Sequence, residues 1–234
     1  MFNRTPLLYE GRRVAKVLTV AGGAATSTTQ SKFGGSSLYL PNGSGTDWVQ
    51  FPNSTSLAFG TGDFAVECFI YMTSISSYHT IWVSGREPSV GNFAMYVNGG
   101  STIEIYNNGS GPVLATFATS ISTNTWYHIA VTRSSGTMYA FLNGTQQGSS
   151  VSQSYNFQST TGSQNYTFGT IGYDGSTGFN FQGYIDELRI STGTARYTSN
   201  FTAPTAPFDC DGNTRLLCHF DNPNGSTYIV DDNL

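Results

Sequence analysis

Aromatic side chains are the residues of this sequence best suited to bind a ligand. The face of a sugar ring stacks on an aromatic ring, while Asn, Asp and Gln side chains hydrogen-bond to the sugar hydroxyls. The candidate ligand-binding residues are Trp48, Tyr78, Trp82, Tyr106 and Tyr173. Each of these rings could equally lie in a core or in an interface, since aromatic residues are often buried.

Paired carboxylates, the groups that hydrolyse glycosidic bonds, are poorly placed in the sequence. A retaining hydrolase holds its two carboxyl groups about 5 Å apart, and an inverting one roughly 6.5 to 9.5 Å apart. Asp63 and Glu67 fall on one face of a predicted strand, but at about 3.3 Å per residue they would lie about 13 Å apart. The three histidines adjoin no Ser or Cys nucleophile motif and form no close pair. We therefore expect no enzymatic activity.

Short apolar segments bounded by turn residues must position these side chains. Aromatic residues make up 14% of the 234 residues, charged residues 10%, and there are 27 glycines, a composition typical of many short strands. Asn98-Gly99 and Asn143-Gly144 predict tight turns between antiparallel strands. The same dipeptide signal occurs at 108–109 and 174–175. The sequence therefore predicts an all-β antiparallel fold.

Two strand segments depart from simple alternation. Residues 64–72 are apolar on both faces, so we expect one face to form the core and the other to be covered by loops or by a neighbouring subunit. In residues 181–190, Ile185 and Leu188 fall on opposite phases, which predicts a β-bulge at Asp186 or Glu187.

Three separate segments resemble laminin G-like, concanavalin A-like jelly-roll domains of the kind found in virion proteins of tailed phages. They are QSKFGGSSLYL at 30–40, TWYHIAVTR at 125–133 and FQGYIDELRISTGTARYTSNFTAPTAPF at 181–208. The resemblance implies an antiparallel two-sheet β-sandwich with a core tryptophan at Trp126. Residues 30–208 would form the jelly-roll domain, residues 1–29 an N-terminal strand and variable arm, and residues 209–234 a closing strand and tail.

The resemblance also implies a calcium ion, since laminin G-like relatives often bind one near a sandwich edge. Calcium takes six to eight oxygen ligands. Asp186 is the candidate ligand, with Asp47 and carbonyl groups of residues 42–46 completing the site. The alternative is that Asp186 or Glu187 accepts backbone N–H groups at the bulge or pairs with Arg189.

The C-terminal segment is too apolar to remain in solvent. Its apolar residues are Leu216, Leu217, Cys218 and Phe220. The first and last strands are neighbours in concanavalin A-like folds, so we expect residues 215–220 to close the sheet beside residues 7–9. They would do so on their own subunit or in an adjacent one. Cys210 and Cys218 could form a disulfide only in an oxidising compartment.

Charge and hydropathy exclude two classes of partner. The net charge is −4, and the sequence contains no basic stripe that could follow a phosphate backbone. The apolar segments are too short to insert into a membrane, and residues 1–16 do not have the pattern of a signal peptide. We expect no nucleic-acid partner, no membrane insertion, and synthesis in the cytoplasm of a host cell.

These observations and the resemblance together predict a non-enzymatic virion protein of a bacteriophage. It would be a capsid decoration or head-fibre protein, or a short tail-fibre subunit, located in the virion. We expect it to form a homo-oligomer, to contact other virion proteins and to bind host surface glycans. The alternatives are a free carbohydrate-binding lectin and a glycan hydrolase of the laminarinase-like type.

Overall fold

The computed structural model describes residues 16–41, 46–52, 54–84, 92–107, 113–158, 166–170 and 179–233. These residues form β-strands, a 3₁₀ turn at Thr55–Leu57 and no α-helix, so none of them belongs to a helix that could cross a membrane. The predicted all-β fold is confirmed. The strands are β1 (Val17–Ala21), β2 (Ala25–Ser27), β3 (Ser37–Leu40), β4 (Trp48–Phe51), β5 (Phe64–Met72), β6 (Tyr78–Ser84), β7 (Phe93–Asn98), β8 (Thr102–Asn107), β9 (Val113–Ala118), β10 (Trp126–Ser134), β11 (Thr137–Leu142), β12 (Thr145–Gln146), β13 (Val151–Ser152), β14 (Tyr166–Phe168), β15 (Gly183–Thr192), β16 (Thr214–Cys218) and β17 (Ile229–Val230).

The strands pair into two sheets, as the sandwich prediction requires. The eight-stranded sheet has the order β17-β1-β4-β14-β6-β7-β8-β9. The nine-stranded sheet has the order β12-β11-β10-β5-β15-β3-β2, with β13 paired to β11 and β16 paired to β15. The inward faces of both sheets contribute to one buried cluster, which includes Val66, Cys68, Met95 and Ile105. Cys68 is therefore a buried core residue, as its apolar surroundings in the sequence indicate.

Two of the predicted tight turns connect neighbouring strands. Asn98-Gly99 begins the turn between β7 and β8, and Asn143-Gly144 joins β11 to β12. Asn143 and Gly144 have φ values of 49° and 80°, the left-handed geometry of a type I′ hairpin turn. A Cβ atom on Gly144 would lie 2.0 Å from the carbonyl oxygen of Phe201, so this turn requires glycine. The turn signals at 108–109 and 174–175 lie outside the described residues.

The outward face of β5 is covered by the chain itself. Phe69 of β5 packs with Phe208 and Leu217 in a second buried cluster. The His128 ring of β10 lies 5.7 Å from the ring of Phe201 and 6.0 Å from that of Phe208. Residues 194–208, which we call the covering segment, therefore supply the cover that the two-sided strand requires. The sequence predicted that loops or a neighbouring subunit would cover this face, and in the structure a loop covers it.

A buried ionic network lies beneath the covering segment. Glu67 accepts hydrogen bonds from Arg189 Nη2 at 2.7 Å and from the Tyr197 hydroxyl at 2.9 Å, and His128 Nε2 lies 3.2 Å from its Oε2. Burial raises the pKa of Glu67, but the hydrogen bond to His128 and the charge of Arg189 outweigh burial and hold this pKa below its usual value. Glu67 is therefore a paired structural carboxylate.

The predicted bulge in β15 is present, and it lies where the strand changes neighbours. The register of β15 against β5 shifts between Asp186 and Arg189, and Glu187 has a φ of 53°. Residues 183–185 pair with β3, whereas residues 188–191 pair with β16. The prediction that Asp186 lies at a sandwich edge is wrong, because β15 has paired strands on both sides and Asp186 is fully buried.

The C-terminal segment adds a strand to its own domain. Leu216, Leu217, Cys218 and Phe220 are all buried, and β16 pairs with β15. The strand that joins the N-terminal strand β1 is β17, with Leu18 opposite Ile229. Residues 7–9, the predicted partner, lie outside the described residues. Cys210 is exposed, Cys218 is buried, and both are free thiols.

Candidate functional site

The outward face of the eight-stranded sheet carries a cluster of tyrosines. Phe93, Met95 and Val97 of β7 belong to the core, so Ala94 and Tyr96 point outward. Outward-facing residues of β6 and β8 surround Tyr96, and Phe179 packs on them. We call the following set the tyrosine face: Tyr78, Tyr96, Asn98, Thr102, Glu104 and Tyr106.

The rings of the tyrosine face meet edge to face. The Tyr96 and Tyr106 ring centroids are 5.3 Å apart at 70°, and those of Tyr78 and Tyr106 are 6.3 Å apart at 82°. The ring of Phe179 lies 4.7 Å from that of Tyr78 at 87°. Tyr96 is fully buried, while Tyr78 and Tyr106 are half-buried. The arrangement fixes the ring planes and leaves part of two tyrosines open to solvent.

Glu104 organises the polar atoms of this face. Its Oε1 accepts hydrogen bonds from Thr102 Oγ1 at 2.7 Å and from Asn98 Nδ2 at 3.1 Å. Its Oε2 accepts one from the Tyr106 hydroxyl at 2.9 Å, and the Tyr106 and Tyr78 hydroxyls are 3.3 Å apart. Burial, these hydrogen bonds and the charge of Glu104 raise the pKa of Tyr106. Tyr106 therefore keeps its proton and donates a hydrogen bond to Glu104.

The structure brings together two of the five aromatic residues predicted to bind ligand, Tyr78 and Tyr106. Trp48 is half-buried on β4 of the same sheet, and Tyr173 lies outside the described residues. Trp82 is fully buried, and its ring stacks on that of Tyr166 at 5.3 Å. A buried ring offers no face to a ligand, so the prediction for Trp82 is wrong.

A second bulge explains the error at Trp82. Tyr78 and Trp82 are four residues apart and would share one face of a regular strand. The register of β6 against β7 shifts between Thr80 and Trp82, which adds one residue to β6 and reverses the phase beyond it. Trp82 therefore stands opposite the inward-facing Met95.

Sequence analysis missed Tyr96 and Glu104. The signal for Glu104 is present in TIEIY, because Ile103 and Ile105 take the core phase and leave Thr102, Glu104 and Tyr106 on the other face. Tyr96 gives a weaker signal, since β7 is apolar on both phases.

The two carboxylates predicted to bind calcium do not lie in one site, and the predicted carbonyl ligands of residues 42–45 lie outside the described residues. Asp186 Oδ2 accepts hydrogen bonds from the backbone N–H groups of Lys32 and Phe33 at 2.7 and 3.2 Å, in the loop between β2 and β3. Asp47 Oδ1 accepts one from the N–H of Gly23 at 2.7 Å, beyond the opposite end of that hairpin. The two carboxylates therefore hold different ends of one hairpin. The described residues contain no group of three or more acidic, His or Cys side chains that could hold a metal ion.

A family model and several solved structures support the fold. Residues 42–196 match a laminin G-like family model described as the concanavalin A-like lectin/glucanases superfamily. No curated protein sequence matches the chain.

Solved structures include several with the same fold. A Bacteroides ovatus protein to which carbohydrate binding is ascribed has a TM-score of 0.59 and 18% identity, covering 89% of this chain and 53% of that one. Domain 4 of the extracellular GH43 arabinanase AbnA of Geobacillus stearothermophilus, in complex with arabinotriose, has a TM-score of 0.53 and 18% identity, covering 74% of this chain and 80% of that one. Tailspike protein 2 of the Escherichia coli O157:H7 bacteriophage CAB120 has a TM-score of 0.57 and 14% identity, covering 94% of this chain and 31% of that one.

At these identities the structures show a shared fold alone. The chain spans about half of the Bacteroides ovatus protein and a smaller part of the tailspike. The family match covers more than half of the 234 residues. The chain therefore belongs to the concanavalin A-like lectin/glucanases superfamily.

Proposed function

We propose that this chain is a non-enzymatic, carbohydrate-binding virion protein of a bacteriophage. The observation that carries the carbohydrate part is the tyrosine face, where half-buried Tyr78 and Tyr106 stand beside the carboxylate of Glu104. Partly exposed rings with a few fixed polar groups are the usual composition of a sugar site. Solved proteins of the same fold include one to which carbohydrate binding is ascribed and one in complex with arabinotriose.

The contacts of Glu67 and Asp63, the two carboxylates that the sequence pattern places on one face of a strand, support the proposal of a protein without hydrolase activity. Glu67 is fully buried and paired with Arg189, so it cannot reach a sugar. Asp63 accepts a hydrogen bond from the backbone N–H of Ser135 at 2.8 Å. Incubation with bacterial polysaccharides should release no reducing ends. Their release would favour the alternative of a laminarinase-like hydrolase.

The virion role rests on the three sequence segments that resemble phage virion domains. The fold shared with a phage tailspike is in keeping with that role. We propose that the chain forms a homo-oligomer in the capsid or tail and displays the tyrosine face to host glycans. Labelled antibody should decorate purified particles. A protein absent from particles but active in glycan binding would instead be a free lectin.

A glycan array tests the binding site. Parent protein should bind some of the arrayed bacterial polysaccharides, and Tyr78→Ala and Tyr106→Ala should each weaken binding about tenfold or more, as loss of a contact ring does. Tyr39→Ala is the matched control. Tyr39 is also half-buried and stacks on Tyr184 at 4.7 Å, but it belongs to the nine-stranded sheet. Equal losses in all three variants would place the glycan elsewhere or show general destabilisation.

A further inference from the structure

The eight-stranded sheet is almost free of charge. Its eight strands contain one Asp, Glu, Lys or Arg residue, Glu104. No cation of these strands therefore stands beside the Glu104 carboxylate, whose described partners are the neutral groups of Asn98, Thr102 and Tyr106. Among the described strands of this sheet, the Glu104 carboxylate is therefore the one charge that faces a ligand on the tyrosine face.

The hydrogen bonds of this face have a fixed direction. An ionised carboxylate only accepts hydrogen bonds, and each tyrosine hydroxyl has one proton to donate. The Tyr106 hydroxyl donates its hydrogen bond to Glu104 Oε2, so in the 3.3 Å hydrogen bond between the two hydroxyls Tyr78 is the donor and Tyr106 the acceptor. The Tyr78 oxygen, at the end of this chain of hydrogen bonds, is then left with acceptor capacity only.

A ligand that forms a hydrogen bond with the Tyr78 oxygen must be the donor in that bond. Sugar hydroxyl groups can donate one. A carboxylate, sulfate or phosphate group on a glycan cannot, and it would also be repelled by Glu104. The face therefore distinguishes ligands by the direction of their hydrogen bonds as well as by charge.

We propose that the tyrosine face selects neutral, hydroxyl-donating glycans and rejects acidic ones, with Tyr78 as the acceptor that contacts the ligand and Glu104 as the residue that sets the direction of the hydrogen bonds. This inference rests on the proposed carbohydrate-binding function. It names the class of glycan that the same site takes.

Paired glycans test the inference. The array would contain lactose beside sialyllactose, a neutral hexose oligosaccharide beside its uronic acid counterpart, and neutral beside acidic bacterial polysaccharides. We expect bound neutral members to exceed their acidic partners by more than about tenfold in affinity at low salt, since like-charge juxtaposition is costly. Acidic members bound as tightly as neutral ones would overturn the inference and leave the proposed function intact. Binding to no glycan would refute the proposed function, and the inference with it.

Two conservative variants separate selectivity from stability. Tyr78→Phe keeps the ring and removes the acceptor oxygen, so affinity for neutral glycans should fall about tenfold, the loss of one hydrogen bond. Glu104→Gln removes the charge with little change of shape, so the neutral-to-acidic ratio should fall toward one. Melting temperatures show whether each variant is folded. If Glu104→Gln does not fold, the Tyr78→Phe result decides, and an unchanged affinity in that variant would contradict the role of Tyr78.

Discussion

Glu67 shows the importance of a single buried charge in this fold. Its carboxylate is fully buried and its Oε1 bonds Arg189. Glu67→Gln should destabilise the protein by about 3 to 5 kcal/mol, because it leaves the Arg189 guanidinium without its counter-charge in a dry environment. Urea denaturation followed by tryptophan fluorescence measures this change.

The matched control is Asp209→Asn, which removes a carboxylate at an exposed position next to the covering segment. This variant should unfold at the same urea concentration as the parent. Equal midpoints for Glu67→Gln and the parent would show that the buried network contributes nothing to stability.

Asp186 should make stability depend on pH. Burial, opposed by the N–H groups of Lys32 and Phe33, raises the pKa of Asp186 to about 7 from an ordinary value of 3.8. Because the folded state holds this proton more tightly than the unfolded state, the stabilisation is fully present below pH 3.8 and is lost as pH rises through about 7.

Asp186→Asn keeps one oxygen to accept both backbone N–H groups and has no proton to lose. The difference in unfolding free energy between Asp186→Asn and the parent should therefore grow in favour of the variant between about pH 4 and pH 8. A difference that stays constant across this range would show that Asp186 titrates normally.

Calcium should leave the melting temperature unchanged. Asp186 and Asp47 bond to opposite ends of the β2–β3 hairpin, so we expect these two carboxylates not to ligate one ion. Scanning calorimetry in excess calcium and in chelator measures this directly. A rise in melting temperature with calcium, lost in Asp186→Asn, would show that the ion binds at this residue.

Individual side-chain positions were predictable only where the strand pattern was unambiguous. The bulge in β15 was visible because Ile185 and Leu188, both apolar, fall on opposite phases of one strand. The bulge in β6 was not visible, because Thr80, Ile81 and Trp82 fit either face. The error at Trp82 follows from that ambiguity, since one inserted residue reverses every side chain beyond it.

Among the structural elements, strands and hairpins were easier to predict from the sequence than the covering segment. Alternation and Asn-Gly turns are local signals, and they placed β7, β8 and the β11–β12 turn correctly. The covering segment has no periodicity, so nothing local shows that Tyr197 and Phe201 lie over β10. The apolar pattern on both faces of β5 predicts that its outward face is buried, but it does not show which segment buries it.

Deleting residues 211–234 should abolish folding. The deletion removes β16, which pairs with β15 over Leu188–Ser191, and β17, which pairs with β1. It also removes the buried side chains of Leu216 and Phe220, each worth roughly 1.5 to 3 kcal/mol of burial. Circular dichroism melting of the truncated chain measures the effect. A truncated chain with the melting temperature of the parent would show that the segment is dispensable.

For the whole molecule, the two-sided apolar strand β5 is no longer a reason to expect a homo-oligomer. The outward face of β5 is covered by the chain's own Phe208 and Leu217, so it does not require a second subunit. A different reason remains: β9 lies at the end of the eight-stranded sheet as far as the described residues go, it carries no charged residue, and its Val113 is exposed. The homo-oligomer and the virion location both stay proposals.

The outward face of the eight-stranded sheet is the surface that we propose binds carbohydrate. The most direct measurement is an amide chemical-shift titration of the labelled protein with the best-bound array glycan. Perturbed amides should concentrate in β6, β7 and β8, around Tyr78, Tyr96 and Glu104, and those of β5 should not move. Perturbations confined to the nine-stranded sheet, or to loops away from the tyrosine face, would show that the glycan binds elsewhere.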